Sequence, residues 1–319
     1  MFQKLIAGFA ILFAVAIAGF AVYVASRQHL RFDAPYPPIQ ASTDSAVVER
    51  GRYLVRNLAV CAGCHGDAGQ VAAFDRGEDV PLSGGYMFAI PPGRFYAHNI
   101  TPDPETGLGR VSDAAIARAL RFGVGHDGRA LLPFMAKQGL TDDDLVAVVS
   151  YLRTQAPVHN VVPDHDYNLL GKIVKATLLA NPVGPSRPPE PSSPRGATVE
   201  NGRYLVESVI DCGGCHTQRD ERTGAMVGPT LGGATGMVGV SPDGTWSPPN
   251  ITAGGKLAGY DEDAFVVRFH AGSAVPGSPM PWVQFSSLAD DDLRAVYRYL
   301  KTLPVVARDV GPAFVRKAK

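Results

Sequence analysis

The sequence has no net charge, few cysteines and few segments that resemble β-strands. Its 319 residues include 30 Lys and Arg and 30 Asp and Glu, which gives a formal net charge of +0 at pH 7. Without an excess of basic residues the chain lacks the electrostatic attraction that draws proteins to nucleic acid. We therefore expect no nucleic-acid partner. Glycine and proline are abundant, at 35 and 26 residues, and predict a chain rich in loops.

All four cysteines lie in two five-residue motifs, Cys61–His65 and Cys212–His216, and each motif reads C-x-x-C-H. This pattern is typical of covalent attachment of a c-type haem. Two thiols at this spacing share one side of a helical turn, where they can form thioethers with the two vinyl groups of a haem. The adjoining histidine can then bind the iron.

Other interpretations of the cysteines are weaker. Zinc sites of four cysteines usually have their pairs about 15–20 residues apart, whereas these pairs are separated by almost half the chain. Neither a redox couple nor a structural disulfide requires a histidine after each pair. The sequence thus predicts two covalently bound haem c groups, attached through Cys61, Cys64, Cys212 and Cys215, with His65 and His216 as axial ligands.

The N-terminus contains one long apolar run. Residues 5–26 carry no charge, and as a helix they would extend about 33 Å, enough for the ~30 Å hydrocarbon layer of a membrane. The apolar part of a cleavable signal peptide is usually shorter. We therefore predict a retained, single-pass anchor over residues 1–30, although the small residues at its end leave cleavage open. The flanking charges do not decide its orientation.

The rest of the chain contains an internal repeat. Residues 48–55 match residues 199–206 at an offset of 151, and the haem motifs and two Asn-Ile-Thr segments keep that offset. Two acidic segments later in the copies match at 148. The repeat predicts two copies of one domain. We predict a first cytochrome c domain over 45–157, a connecting helix and Pro-rich linker over 158–196, and a second cytochrome c domain over 197–305.

Each copy has the same pattern of predicted helices, and the predicted fold class is all-α. A short helix precedes each haem motif. A middle helix begins near Ser112 or Asp261 and ends near Gly123 or Gly272, and a last helix begins in an acidic triplet. Between the copies, a further helix has apolar residues along one side: Leu169, Leu170, Ile173, Val174 and Leu178. We expect this side to pack on the neighbouring domains, although a partner or the membrane surface could also receive it.

A haem iron that transfers electrons often has a methionine as its sixth ligand. Met135 and Met280 are the best candidates, because each lies between the middle and last helices of its copy, closely after a proline. The alternatives are Met87, Met226, Met237, His98 and His126. Asn99 and Asn250 could contact a haem propionate or close a turn, and the turn is the simpler expectation. Arg52 and Arg203 could likewise be solvated or pair with propionates.

The ordered motifs resemble those of a known family. The segments that carry the resemblance are Gly51–Val55, Cys61–His65, Asn99–Asp103, Gly125–Arg129 and Met135. They are similar to the membrane-associated multi-haem cytochrome c subunits of bacterial alcohol, gluconate and sorbitol dehydrogenases. The resemblance implies tandem class I-like cytochrome c domains, with His65 paired with Met135 and His216 with Met280. Family members commonly have three haem domains and a C-terminal membrane attachment, and this sequence departs from both.

By this resemblance, the chain is expected to transfer electrons rather than to act as an enzyme. The donor would be a periplasmic or membrane dehydrogenase subunit, and the acceptor a quinone, a cytochrome or a terminal oxidase. Haem attachment in bacteria takes place outside the cytoplasmic membrane, so the domains would face the periplasm from the inner membrane. The alternatives are a di-haem subunit of a haem-copper terminal oxidase and, with less support, a di-haem peroxidase or thiosulfate-oxidising enzyme.

Overall fold

The computed structural model describes residues 2–133, 135, 137–179, 181–220, 224–237, 243–273 and 275–317, and these residues are mostly helical. The α-helices of the first half are α1 (Phe2–Ser26), α2 (Ser45–Tyr53), α3 (Ala62–His65), α4 (Val71–Asp75), α5 (Asp113–Phe122), α6 (Asp142–Thr154) and α7 (Leu169–Thr177). Those of the second half are α8 (Val199–Tyr204), α9 (Gly213–His216), α10 (Glu262–His270), α11 (Trp282–Phe285) and α12 (Asp290–Thr302).

Each copy is built around the crossing of its first and last helices, α2 with α6 and α8 with α12. A glycine makes each crossing possible. A Cβ atom on Gly51 would lie 1.9 Å from the carbonyl oxygen of Ala147, and one on Gly202 would lie 1.9 Å from that of Ala295. No side chain fits at such a distance. The two backbones can therefore approach each other only where glycine stands.

The middle helices begin and end where the sequence predicts. The side chain of Ser112 accepts a hydrogen bond from the backbone N–H of Ala115 at 3.3 Å and caps α5. Asp261 caps α10 in the same way, through Ala264 at 2.8 Å. Gly123 ends α5 in a left-handed conformation, with φ of 61°.

Short strands are present although the sequence contains few strand signals. They are β1 (Met87–Ile90), β2 (Gly93–Tyr96), β3 (Asp166–Tyr167), β4 (Gly244–Trp246) and β5 (Phe314–Arg316). The first three form one antiparallel sheet and the last two form another. An all-α prediction is therefore correct only as a description of the main elements. Strands of two to four residues are too short to show an alternating pattern.

Most of the buried apolar side chains that the structure describes form one cluster, which includes residues of both copies. Leu54 and Leu145 of the first copy are fully buried, as are Leu205 and Leu293 of the second. Nearly every residue from Asp144 to Leu152 of α6 is buried, whereas α12 buries a narrower set that includes Leu293, Val296 and Leu300. This packing fixes the segments that carry the haem motifs.

Helix α1 is long and apolar enough to cross a membrane, and within it only Val24 is buried. Its last residues contact α7, the helix between the copies. The expectation that α7 buries its apolar side against the neighbouring domains is wrong, because Leu169, Leu170 and Leu178 are exposed. Gly171 and Ala176 are the buried residues of α7. Small residues, rather than leucines, allow this helix to approach its neighbours closely.

Candidate haem-attachment sites

The same irregular turn leads into both haem motifs. A π-helical turn follows α2 at Leu54–Leu58, and another follows α8 at Leu205–Val209. The residue before the first cysteine then has a left-handed backbone, with φ of 47° at Val60 and 63° at Asp211. Non-glycine residues rarely adopt this conformation, and where they do it often marks a functional site. In both copies it directs the chain into the short helix that follows the first cysteine.

The two cysteines of each motif lie on one helical turn. Cys61 and Cys212 are partly buried, whereas Cys64 and Cys215 are exposed. Burial is the main reason why the pKa of Cys212 rises to about 12. Among the residues that the structure describes, no three His, Cys, Asp or Glu side chains form a metal-binding group.

The two motif histidines have the same kind of hydrogen-bond partner, a backbone carbonyl. Nδ1 of His65 lies 2.8 Å from the carbonyl oxygen of His98, and Nδ1 of His216 lies 2.8 Å from that of Pro249. A carbonyl only accepts, so the proton of each neutral ring is on Nδ1. Burial lowers the pKa of both histidines and favours this neutral form. Nε2 of each ring therefore carries the lone pair that a metal requires.

The Asn-Ile-Thr segments hold the loops that supply these carbonyls. Oδ1 of Asn99 accepts hydrogen bonds from the backbone N–H and the hydroxyl of Thr101, at 3.0 and 2.8 Å. Its amide donates to the carbonyl oxygen of Val158 at 2.8 Å. Asn99 is buried, and its side chain thus fixes the residue that follows the His98 carbonyl. The turn interpretation of Asn99 is favoured over contact with a propionate.

Asn250 makes the equivalent contacts in the second copy. Its Oδ1 accepts from the backbone N–H and hydroxyl of Thr252, at 3.0 and 2.8 Å, and its amide donates to the carbonyl oxygen of Val306 at 2.6 Å. Both asparagines therefore tie a loop to the segment just after the last helix of their copy. The sequence signal for this role is the repeat of Asn-Ile-Thr itself.

The two candidate methionines occupy similar turns. The carbonyl of Met135 accepts from the N–H of Lys137 at 2.9 Å, and that of Met280 from the N–H of Trp282 at 2.7 Å. Both methionines are partly buried, and Met280 packs against the apolar core. The residues on either side of Met135, 134 and 136, lie outside the described residues.

The alternative ligands of the sequence analysis differ in exposure and in backbone setting. Met87 and Met226 are 44% and 51% exposed, and the backbone of Met237 pairs with that of Trp246. His98 and His126 are exposed. On the surface of the first copy, Arg52 forms an ion pair with Glu49 at 2.9 Å, which fits a solvated arginine, and Arg203 is also exposed.

Sequence reasoning missed a pair of tyrosines that join the two copies. Tyr53 and Tyr204 precede the π-helical turns, and the sequence analysis assigned them no contact between the copies. The hydroxyl of each tyrosine instead bonds an aspartate of the other copy, Asp292 or Asp144. The shared Gly-Arg-Tyr segment was the available signal, but helical spacing does not show which tyrosine has a polar partner.

The residues of each motif fit a covalently bound haem. Two free thiols lie one helical turn apart, and the next side chain is a neutral histidine whose Nδ1 already has a partner. The second motif repeats every one of these features. This donor set is the one that a c-type haem requires.

Comparisons with known proteins agree with this chemistry. A family model described as cytochrome c matches residues 48–156. The cytochrome c subunit of alcohol dehydrogenase (quinone) from Gluconobacter oxydans is 32% identical over 277 residues, which are 82% of this chain and 56% of the relative. A nicotinate dehydrogenase subunit from Pseudomonas putida is 33% identical over 280 residues, 84% of this chain and 22% of the relative.

A third relative is closer in length. A diheme cytochrome c-type protein from Cereibacter sphaeroides is 29% identical over 261 residues, which are 77% of this chain and 82% of the relative. By contrast, the chain spans about half or less of the two dehydrogenase subunits. These matches confirm the resemblance to dehydrogenase cytochrome subunits, and residues 48–156 match the cytochrome c family.

Proposed function

We propose that the chain binds two haem c groups in tandem class I-like cytochrome c domains, residues 45–157 and 197–305. Cys61 and Cys64 would attach the first haem, with His65 and Met135 as axial ligands. Cys212, Cys215, His216 and Met280 would have the same roles in the second domain. The observation that carries the proposal is the repeated C-x-x-C-H motif in which each histidine Nδ1 lies 2.8 Å from a backbone carbonyl.

A bound haem c supplies an iron that accepts and releases one electron. The residues of the chain would hold that iron rigidly. The carbonyls of His98 and Pro249 fix the planes of the two imidazoles, and buried asparagines fix the loops that bear those carbonyls. A carbonyl partner on Nδ1 also increases the basicity of Nε2. Such sites need little rearrangement when an electron arrives.

We propose that the chain is the cytochrome subunit of a dehydrogenase complex and is not itself an enzyme. A periplasmic or membrane dehydrogenase subunit would supply electrons, and a quinone, a cytochrome or a terminal oxidase would accept them. Support comes from the relatives described as cytochrome c subunits of alcohol, fructose and gluconate dehydrogenases. The alignments to the alcohol and gluconate dehydrogenase subunits each cover 82% of this chain, which favours the same role here.

We further propose that α1 is retained as a single membrane span, with the haem domains in the bacterial periplasm. The length and apolar composition of α1 support this arrangement, as does the exposure of nearly all its side chains. A span of 25 residues extends about 37 Å as a helix, beyond the ~30 Å of a bilayer core. The segment 158–196 would connect the two haem domains on the membrane surface.

One experiment tests these proposals together. The tagged chain is extracted from native membranes with mild detergent, and its intact mass and its bound proteins are determined. We expect a mass equal to the full chain plus two haem groups, and a dehydrogenase subunit in stoichiometric amount whose substrate reduces both haems. A mass without haem contradicts the cofactor assignment, whereas loss of residues 1–30 contradicts the anchor. Recovery with haem-copper oxidase subunits contradicts the dehydrogenase assignment.

A free-standing di-haem electron carrier is the second candidate. It is favoured by the diheme cytochrome c-type relative, because the chain covers 82% of that protein but only about half of the dehydrogenase subunits. The same preparation separates the two candidates. A haem-loaded chain recovered without a stoichiometric partner, and not reduced by a dehydrogenase in the extract, favours the carrier.

A further inference from the structure

Helix α7 turns its apolar face away from the protein. Leu169, Leu170 and Leu178 are 75%, 51% and 58% exposed. With 3.6 residues per turn they share one side of the helix with Ile173 and Val174, which are half-buried. The opposite face carries the buried Gly171 and Ala176. The leucines of an ordinary surface helix point to the core, so this helix has the reverse arrangement.

The reversed orientation is fixed by close backbone contact. A Cβ atom on Gly171 would lie 2.0 Å from the carbonyl oxygen of Pro92, so only glycine fits at that place. Asn168 caps the helix by accepting from the Gly171 N–H at 2.9 Å, and its amide bonds the carbonyl of Pro91 at 2.8 Å. The helix cannot rotate to bury its leucines without losing these contacts.

The polar side of α7 is bonded to the end of α1. The amide of Gln28 donates to the carbonyl oxygen of Lys172 at 3.0 Å, and the amine of Lys175 donates to the carbonyl oxygen of Gln28 at 2.7 Å. The hydroxyl of Tyr23 lies 3.4 Å from the carbonyl oxygen of Ala176. Helix α7 is therefore held where the long apolar helix ends.

The last turn of α1 has the composition of a membrane–water boundary. The guanidinium of Arg27 lies 5.0 Å from the centre of the Tyr23 ring, and tyrosine and basic residues are enriched where a span meets the lipid headgroups. The apolar run ends after this turn, and the large apolar side chains of α1 that precede it in the sequence are exposed. The contacts from Tyr23 to Gln28 thus place α7 at headgroup depth.

We propose that α7 lies in the lipid interface beside α1, with its outward leucines inserted at the boundary of the acyl chains. The proposal rests on the proposed retention of α1 as a membrane span. Lipid is the occupant that the geometry favours, because the apolar face adjoins a helix that already enters the bilayer. An amphipathic helix with exposed lysine on its polar side, here Lys172, is typical of this position. The haem domains on either side would then have a fixed height above the membrane.

The test uses the full haem-loaded chain in liposomes. A nitroxide label is attached to Leu170→Cys, and its collisions with molecular oxygen, which concentrates in lipid, are compared with those of a water-soluble nickel chelate. Val267→Cys is the matched control, because Val267 is an apolar helical residue that is 67% exposed in the second copy. Lys172→Cys reports on the polar face of α7 itself.

We expect the ratio of oxygen to nickel collisions at position 170 to exceed that at 267 and 172 severalfold. An equal ratio at 170 and 267 overturns the proposal, even if the protein remains in the liposomes. Low collision rates with both reagents at 170 also overturn it, because they mean that protein covers the leucines. Retention of the chain after an alkaline wash is scored separately, so failure of the α1 anchor is distinguishable from failure of the α7 assignment.

Discussion

The hydroxyl of Tyr53 lies 2.9 Å from Oδ2 of Asp292, and this hydrogen bond joins the first copy of the repeat to the second. The second copy returns the contact, since the hydroxyl of Tyr204 lies 2.8 Å from Oδ2 of Asp144. Equivalent residues thus contact each other reciprocally, as in the interface of a two-fold symmetric dimer.

The environment of the two tyrosines is also equivalent. Each hydroxyl accepts a backbone N–H at the start of the other copy's last helix, from Ala289 at 3.0 Å for Tyr53 and from Thr141 at 3.3 Å for Tyr204. Burial, followed by the nearby carboxylate, raises the pKa of both phenols. The raised pKa values keep both phenols protonated, so each hydroxyl can donate to its carboxylate.

Replacement of Tyr204 by Phe removes one of these reciprocal bonds. We expect Tyr204→Phe to lower the free energy of unfolding by about 2 kcal/mol, as is usual for a lost hydrogen bond to a charged group. In the double variant with Tyr53→Phe, the exciton signal of the two haems in Soret circular dichroism should change, because the copies are no longer held together at both points. Chemical denaturation and circular dichroism provide the two measurements.

Tyr297→Phe is the matched control, since the Tyr297 hydroxyl bonds the carbonyl of Tyr260 within the second copy, at 3.0 Å. Its loss should reduce stability without changing the exciton signal. An unchanged signal in the double variant would mean that the tyrosines do not set the relation between the haems.

The glycines at the helix crossings allow a sharper test of the fold. Gly51→Ala places a Cβ atom 1.9 Å from a backbone oxygen, and Gly202→Ala does the same in the second copy. We expect each variant to lose about 3 kcal/mol of stability, the upper range for overpacking. Thermal unfolding of the purified protein measures this loss. Gly259→Ala is the control, because its Cβ atom would meet nothing within 4 Å; equal losses at all three positions would contradict the crossing argument.

The sequence predicted those features that depend on local patterns. Short segments of sequence are enough to identify the haem motifs, the repeat and the caps at Ser112 and Asp261. The structure contains the two helices that these caps begin. Features that depend on the fold were not predictable. The bond between Tyr53 and Asp292 joins residues 239 positions apart, and nothing in the local spacing distinguishes this tyrosine from a core residue.

The outward face of α7 illustrates the same limit. Its apolar spacing predicts a buried side, but spacing cannot show which face of the helix packs against the rest of the protein. The contact between Gly171 and the carbonyl of Pro92 decides the matter, and it depends on a β1–β2 hairpin too short to detect. The left-handed backbone at Val60 and Asp211 was also missed, because a β-branched residue such as Val60 rarely adopts that conformation and a single aspartate does not identify it.

Asn99 is expected to tune one haem without affecting the other. In Asn99→Ala the loop that supplies the His98 carbonyl loses its anchor, and the hydrogen bond to Nδ1 of His65 should weaken. A less basic imidazole donates less charge to the iron, so the reduction potential of the first haem should rise. The second haem, whose loop is held by Asn250, is the internal control. Spectroelectrochemical titration should resolve one shifted and one unshifted potential; equal shifts would contradict the local role of Asn99.

His165 predicts a loss of stability in acid. Burial lowers its pKa from 6.5 to about 4, with help from the positive charge of His98 and Arg129 against the opposing Asp164. The folded protein therefore holds the neutral ring. The contribution of this ring to the free energy of unfolding is lost as the pH falls from 6.5 towards 4. The ring packs edge-on against Phe95 at 5.5 Å. His165→Phe keeps the packing, so its unfolding midpoint should fall less than that of the parent protein between pH 7 and pH 5.

His270 is the control of opposite sign. Hydrogen bonds to the carbonyl of Ser286 and then to the carboxylate of Asp290 raise its pKa. Its contribution is therefore present below pH 6.5 and lost as the pH rises through the folded value. The side chain is 38% exposed, so solvent screening keeps the effect small. His270→Gln should leave the loss of stability in acid intact. If His270→Gln abolished that loss, His165 would not be its cause.

The proposed axial methionines can be separated from their alternatives by spectroscopy. Met135→Ala and Met280→Ala each remove the thioether that would be the sixth ligand, so each should convert one haem of two from low spin to high spin. Met87→Ala and Met226→Ala are the matched controls, because these methionines are exposed and their loss should leave both haems low spin. The absorption band of the iron–sulfur bond in the oxidised protein should fall by half in each of the first two variants. If Met87→Ala or Met226→Ala gave the high-spin haem instead, the ligand would come from the glycine-rich loop nearer the haem motif. The similar turns at Met135 and Met280 would then reflect the repeated fold alone.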